Sequence, residues 1–393
     1  MSEHYAAVVI GGGVMGLAAL EALSRRTREP IALVERFAVG HPHGSSHGAA
    51  RIARSTYADP LYARLMRRAE LEDWARLERD ADERLLHRSP GVFFGADAGP
   101  IDAYRDAVRS AGLGDDLVEE LCPTEARRRH PALRFERCAY VLDDRTCAVV
   151  AAERTVRALA RLAAARGARI FTHTAVLALE VGGGGYRIVT AAGVLVAERV
   201  IVAAGAWTSR LVPGLADRLT VLRQTVAYLR PASDAEGFRL GRVPLWVEIG
   251  SETSGLHYAL PDLDAGLLKI ARHRLDGAAD DPDAGCDADG AEVARLRDRA
   301  ARELAIAVGD VARAETCLYT CTSDEDFIVD RLPGEPRVIV GAGFSGHGFK
   351  FAPLVGRILA ELALDGQSSV PEFAAEHRRF AIAPRTPATG ASS

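Results

Sequence analysis

Of the 49 basic residues in this 393-residue chain, 47 are arginines and two are lysines, Lys269 and Lys350. A solvated surface accepts either cation. A compact ammonium on a flexible stem, with a pKa that burial can move, is work for lysine alone. The two lysines are therefore the first candidates for chemistry, against the plainer reading of ordinary surface cations in an arginine-biased chain. A second candidate is a turn. Gly11, Gly13 and Gly16 stand in G-x-G-x-x-G spacing between the apolar run YAAVVI (5–10) and the Ala/Leu-rich stretch 17–26, and IALV (31–34) ends at Glu35. This spacing describes a β-α-β unit. Gly11 makes the tight turn, Gly13 admits backbone to a pyrophosphate, Gly16 lets helix meet strand, and Glu35 accepts from a ribose hydroxyl. The helix start attracts the phosphates. Together they point to a bound dinucleotide.

The elements that must position these residues alternate along the chain. Residues 40–57 mix Gly, Ser, His and Arg and read as a loop. Residues 60–82 read as a helix with Leu65, Leu71, Trp74 and Leu77 on its apolar side. Short strands are expected at 92–94 and 139–142, an amphipathic helix at 151–166 ending at Gly167, and a hairpin from 176–181 and 186–190 around four glycines. Residues 194–207 read as a strand and a glycine turn, returning to the nucleotide-binding part. Segments 226–231, 244–250, 256–261 and 267–273 alternate in polarity, as the strands of an antiparallel sheet with a ligand-facing side do, and a helix is expected at 291–307. Residues 338–350 form another strand and glycine-rich turn, holding Gly343, Gly346 and Gly348, with a helix beginning near Phe351. Its positive end would face a group that gains negative charge.

The fold class expected is α/β plus antiparallel β: a discontinuous Rossmann-like FAD-binding domain (1–85, 150–220, 318–385) and a β-rich substrate domain (86–149, 221–317), with 386–393 a disordered tail. A length of 393 residues fits two domains. A formal charge of −4 leaves no basic footprint for nucleic acid. No apolar run is long enough to span a bilayer, and the N-terminus reads as a first strand rather than a leader, which places the protein in the cytoplasm. Cys122, Cys138, Cys147, Cys286, Cys317 and Cys321 are scattered without a CxxC pair, which argues against zinc and for free thiols packed as small apolar groups. The aspartates of 276–289 lack the EF-hand pattern and read as a solvated loop rather than a calcium site.

The segments ETCLYT (315–320), DEDFIVD (324–330), GAGFSGHGFK (341–350) and SSHGAARIAR (45–54) closely resemble the monomeric sarcosine oxidase family, which includes N-methyltryptophan and pipecolate oxidases. So do the N-terminal glycine turn and the order Tyr258, Lys269, His273. The resemblance spans nearly the whole chain. It implies FAD, held covalently by a thioether to Cys317, a reaction that needs a thiolate near cations. It implies that His47 and Arg51 lie close to the flavin, that Lys269 activates O₂, and that Arg54 and Lys350 bind the substrate carboxylate. Tyr258, His273, Tyr319 and His347 would line the substrate cavity. The implied reaction removes a hydride from the carbon beside a neutral secondary amine and yields an imine and H₂O₂. The implied partners are a small amino acid or amine and O₂, and the implied state is a monomer. An N-methyl amino acid, a cyclic imino acid and a secondary metabolite all remain open as substrates, and a dehydrogenase of the same fold is the alternative. Trp246 falls near a family pocket position, where it would either narrow the pocket or pack in the core.

Overall fold

A computed structural model describes residues 3–182, 184–233, 237–250, 255–273, 279–285 and 287–383. The tail at 386–393, Cys286 and part of the acidic loop lie outside the described residues. The chain divides into two compact units, Met1–His41, Val156–Thr220 and Thr320–Ser393 forming one, Pro42–Thr155 and Val221–Tyr319 the other. Among the described residues, no helix is long and apolar enough to cross a membrane, and no group of His, Cys, Asp or Glu is arranged to hold a metal ion.

In the first unit, strand Glu3–Ile10 lies between Ile31–Val34 and Gly193–Val202 and runs parallel to both. Arg169–Phe171 extends the sheet beyond Ile31–Val34, and Glu335–Ala342 pairs in parallel with the end of Gly193–Val202. The hairpin Val176–Gly182/Gly185–Thr190 continues that strand antiparallel. Strands covered on both faces carry continuous apolar runs, and Val8, Val9, Ala32, Leu33, Val200 and Ile201 are fully buried. Helices Val14–Arg26 and Ala352–Asp365 pack closely: a Cβ on Gly356 would stand 2.4 Å from the backbone of Ala18.

The second unit is built on a sheet whose strands run in the spatial order Val308–Cys321, Thr220–Pro231, Leu268–His273, Leu256–Pro261, Leu245–Ile249, Gly91–Phe94, Val141–Asp144, Val118–Leu121. Side chains on a strand alternate between faces, and residues directly opposite share one. Ala227 is opposite Ile270, Ile270 opposite Ala259, Ala259 opposite Trp246, and Trp246 opposite Val92. That face is the core, closed by Leu296 and Ala300 of helix Gly290–Glu303. The opposite face carries Tyr228, Lys269, Ala271, His273, Tyr258, Val247 and Phe93 by the same register.

Residues 42–85, read from the sequence with the nucleotide-binding part, pack in the second unit, where strand Ala50–Ala53 pairs with Ala148–Ala151 and Leu86–Arg88. The expected helix at 60–82 is α-helical at Pro60–Arg68 and Ala75–Ala81, with a π-helical turn at Ala69–Trp74 between them. The tip of the acidic loop is tied back by Arg223, whose Nε donates to Asp280 at 2.6 Å.

Candidate active site

In the first unit, the glycine turn fits a dinucleotide. Gly11 has φ +107°, and a Cβ there would stand 2.4 Å from the carbonyl oxygen of Ala203, so no other residue fits without moving that strand end. Helix Val14–Arg26 starts at Gly13 with no side-chain cap and no acid in its first turn, which leaves its positive end suited to phosphate. A Cβ on Gly16 would meet the Gly11 carbonyl at 1.9 Å. Glu35 is buried at the tip of its strand; it accepts from Gly12 N at 2.5 Å and Phe37 N at 2.7 Å, with His41 Nε2 at 3.4 Å.

The turn holding Gly343, Gly346 and Gly348 belongs to the same unit. Gly343 has φ +63°, and a Cβ on it would stand 2.6 Å from Thr322. Ser345 N donates to Thr320 O at 3.0 Å and its Oγ lies within reach of Thr322 N, which fixes the turn against the strand end. His347 stacks at 4.7 Å from Phe327, and its Nε2 lies 3.2 Å from Glu325 O. Lys350 is 6% exposed and its Nζ donates to His347 O at 2.9 Å. Phe349–Phe351 is a short 3₁₀ turn leading into the helix that starts at Ala352.

In the second unit, the polar face of the sheet gathers Lys269, Cys317, Tyr319, Tyr258 and His273 with Arg51 and His47 of the 45–54 loop. Lys269 is 3% exposed; its Nζ donates to Ala50 O at 2.9 Å and lies 5.9 Å from the centre of the Tyr228 ring. Burial, then the positive charge of Arg51, holds this amine well below the usual lysine range, against the opposing pull of Cys317 and Glu315. Burial also raises the Cys317 thiol, while Arg51 and Lys269 draw it down. Arg51 is fixed by the carbonyls of Ala50, Ser45 and His47 at 2.9, 2.9 and 2.6 Å. Ser45 Oγ donates to Leu318 O and pins the loop to the Cys317 strand. Burial pushes the Tyr258 hydroxyl up to about 12. Tyr319, held higher still by burial and by Tyr258, lies 3.4 Å from His273 Nδ1.

Arg54 is held edge-on. Its guanidinium carbon lies 4.2 Å from the Tyr57 ring centre and 5.4 Å from that of Phe93, and Nη1 donates to Thr56 O. Among the described residues, it makes no further hydrogen bond. A planar cation with stacked faces and an open N–H edge is suited to a carboxylate.

Trp246 does not face this group. It is fully buried on the core face, 6.0 Å from Phe94, because it is one residue out of phase with Val247. Its pocket reading gives way to core packing; Val247 and Phe93 are the residues that carry the polar face onward. Sequence reading also passed over Glu315, Tyr228 and Arg313. Arg313 stacks 3.9 Å from the Tyr228 ring centre, and Glu315 lies 3.4 Å from the Tyr228 hydroxyl and 4.0 Å from His47 Nδ1. Alternation from Cys317 and Lys269 is the signal that marks them. The remaining described cysteines, Cys122, Cys138, Cys147 and Cys321, are free thiols.

The FAD dependent oxidoreductase family matches residues 6–362. The chain is 33% identical over 389 residues to the monomeric sarcosine oxidase of Streptomyces avermitilis, covering 98% of this chain and 100% of that one. It is 32% identical to the peroxisomal sarcosine oxidase of Homo sapiens, covering 91% and 92%. Its fold is similar to that of NikD, described as an unusual amino acid oxidase essential for nikkomycin biosynthesis, with a TM-score of 0.81, 25% identity and coverage of 97% and 98%. The chain belongs to the FAD dependent oxidoreductase family, and within it to the sarcosine oxidase group of flavoenzymes.

Proposed function

We propose that this protein is an FAD-dependent oxidase of a secondary amino acid, N-methylated or cyclic, that converts the C–N bond to an imine and O₂ to H₂O₂. The observation that carries the reading is Lys269: a buried amine on the polar face of a sheet, in a chain with one other lysine, fixed beside Arg51 and Cys317. FAD, when bound, supplies the hydride acceptor and the electrons for O₂. Gly11, Gly13, Gly16 and Glu35, the turn with Gly343, Gly346 and Gly348, and His47 and Arg51 are the residues that would hold it, with Cys317 as the point of covalent attachment.

The chain's own groups have separable tasks. Arg54 takes the substrate carboxylate on its open edge, and Lys350 adds a point charge. Tyr258, Tyr319, His273 and His347 surround the amine. Cations at Arg51, Arg54, Lys269 and Lys350 disfavour a protonated amine, so the substrate binds with its lone pair free and no strong base is needed. Because burial and Arg51 hold Lys269 low, its charge follows what lies beside it, and an added negative charge draws its proton on. The protein acts in the cytoplasm as a monomer.

A peroxide-coupled screen of N-methyl and cyclic amino acids in air tests the reading. Saturable peroxide release at about 1 s⁻¹ or faster from one class supports it. Rapid dye reduction without peroxide would instead identify a dehydrogenase.

A further inference from the structure

Behind Arg54 lies a carboxylate to which the reaction assigns nothing. Asp144 ends strand Val141–Asp144 and is fully buried. Its Oδ1 accepts from Thr146 N at 2.7 Å and Thr146 Oγ1 at 2.6 Å; its Oδ2 accepts from Thr56 Oγ1 at 2.8 Å and Thr56 N at 3.2 Å. Four donors on two oxygens satisfy a buried carboxylate without a cationic partner. Thr146 Oγ1 in turn takes Ser55 N at 3.2 Å, and Thr146 O takes Arg88 Nη1 at 2.9 Å. Ser55 and Thr56 are thereby fastened to residues 144–146 at both backbone N–H groups.

The consequence falls on Arg54, whose one hydrogen bond among the described residues goes to the Thr56 carbonyl. The stacked rings of Tyr57 and Phe93 restrict the guanidinium to a plane; they do not fix its rotation within that plane. The Thr56 carbonyl does, and Asp144 fixes Thr56. The geometry points to Asp144 as a positioning residue that, through Thr56, sets which edge of Arg54 is offered to the substrate carboxylate. This rests on the reading of Arg54 as the carboxylate-binding residue. It explains why an acid is buried on this side of a site that binds an acid: all its acceptor capacity is turned toward Thr56 and Thr146, so its charge is spent on locking the loop.

The test uses the flavin-loaded enzyme and two probes read by flavin absorbance, 2-furoate and its uncharged counterpart 2-furamide. In Thr56→Val, which removes one hydroxyl of similar volume, and in Asp144→Asn, which turns an N–H₂ toward donors, 2-furoate should bind about tenfold more weakly, the loss of one hydrogen bond to a charged group. Binding of 2-furamide and kcat at saturating substrate should stay within about twofold. Thr56→Ser keeps the hydroxyl and should keep the affinity. Arg54→Met separates the two layers. If it weakens 2-furoate while Thr56→Val and Asp144→Asn do not, Arg54 binds the carboxylate but the positioning role is wrong. If Arg54→Met leaves 2-furoate unchanged, or the parent enzyme shows no saturable shift with it, the carboxylate reading fails and takes the proposal with it. Equal weakening of both probes in Thr56→Val would mark a general structural role and overturn the proposal. Should Asp144→Asn not fold, the comparison of Thr56→Val with Thr56→Ser decides alone.

Discussion

Lys269 combines two properties that a surface lysine lacks, full burial and a fixed acceptor in Ala50 O. Methionine retains its length and apolar stem and removes the charge. In Lys269→Met, flavin reoxidation by O₂ should slow about 10²-fold, the scale for removing one preorganised electrostatic group, while anaerobic reduction by substrate changes little; stopped-flow measurement of the two half-reactions separates them. Equal slowing of both would remove the O₂ role. The same variant has a stability signature. A lysine held below its unfolded value binds more protons in the unfolded state between the two pKa values, so its contribution to stability falls as pH drops from the unfolded lysine range toward the folded one. The melting temperature of the Met variant should therefore exceed the parent's by a margin that grows as pH is lowered from about 10 toward neutral. Lys269 was legible in the sequence because lysine is rare in this chain. Glu315 and Tyr228 were not, since a lone acid and a lone tyrosine in strand segments carry no such contrast until the register sets them opposite one another.

At the scale of elements, the period of two did most of the positioning. It puts Lys269, Ala271 and His273 on one face and Leu268 and Ile270 in the core, and this much is written in the alternation of LLKIARH. The phase of the neighbouring strand is not, because both Trp246 and Val247 are apolar and either could face inward; only the pairing of Trp246 with Ala259 decides. Strand Val308–Cys321 was legible only at its second half. It is the edge strand of its sheet, and its first half, VGDVARAE, is partly exposed with small and charged residues that show no clean alternation. Helix Gly290–Glu303 closes the core face and ends on a charge conflict. Burial, then the carboxylate of Glu248, pushes Glu303 up to about 7, although Arg299 lies 3.8 Å away; its place at a helix C-terminus also disfavours an anion. For an acid raised in the folded state, the native form binds more protons between the two pKa values. Stability from Glu303 is therefore full below about 4.5 and is lost as pH rises through about 7. Glu303→Gln should flatten this loss, gaining on the order of 1–3 kcal/mol over the parent at pH 8 and little at pH 4.5. Urea melts at both pH values measure it, and an equal gain at both would remove the assignment.

For the whole molecule, the discontinuous architecture was readable because the glycine turns sit near the two ends of the chain and the alternating strands between them. The exact seams were not: residues 42–85 look like a continuation of the first β-α-β unit until Ala50–Ala53 is seen paired with Ala148–Ala151. The residues proposed to hold FAD come from four separate stretches, 11–35, 47–51, Cys317 and 343–348, so the cofactor is tied to both units through the chain that carries them. Covalent attachment changes how this coupling responds to concentration. A tethered flavin cannot dissociate, so the parent's melting temperature should not depend on added FAD, and its yellow colour should stay with acid-precipitated protein. In Cys317→Ser the colour should leave on precipitation, and the melting temperature should climb with free FAD. Saturation at 100 times the dissociation constant adds about 2.7 kcal/mol, a shift of several degrees for a chain of this size. A parent protein that loses its colour on precipitation would exclude attachment at Cys317. A Cys317→Ser protein that melts at one temperature with and without FAD would show that the glycine turns, Glu35 and Arg51 do not grip the cofactor unaided, and that the thioether carries the binding that the rest of the site is proposed to supply.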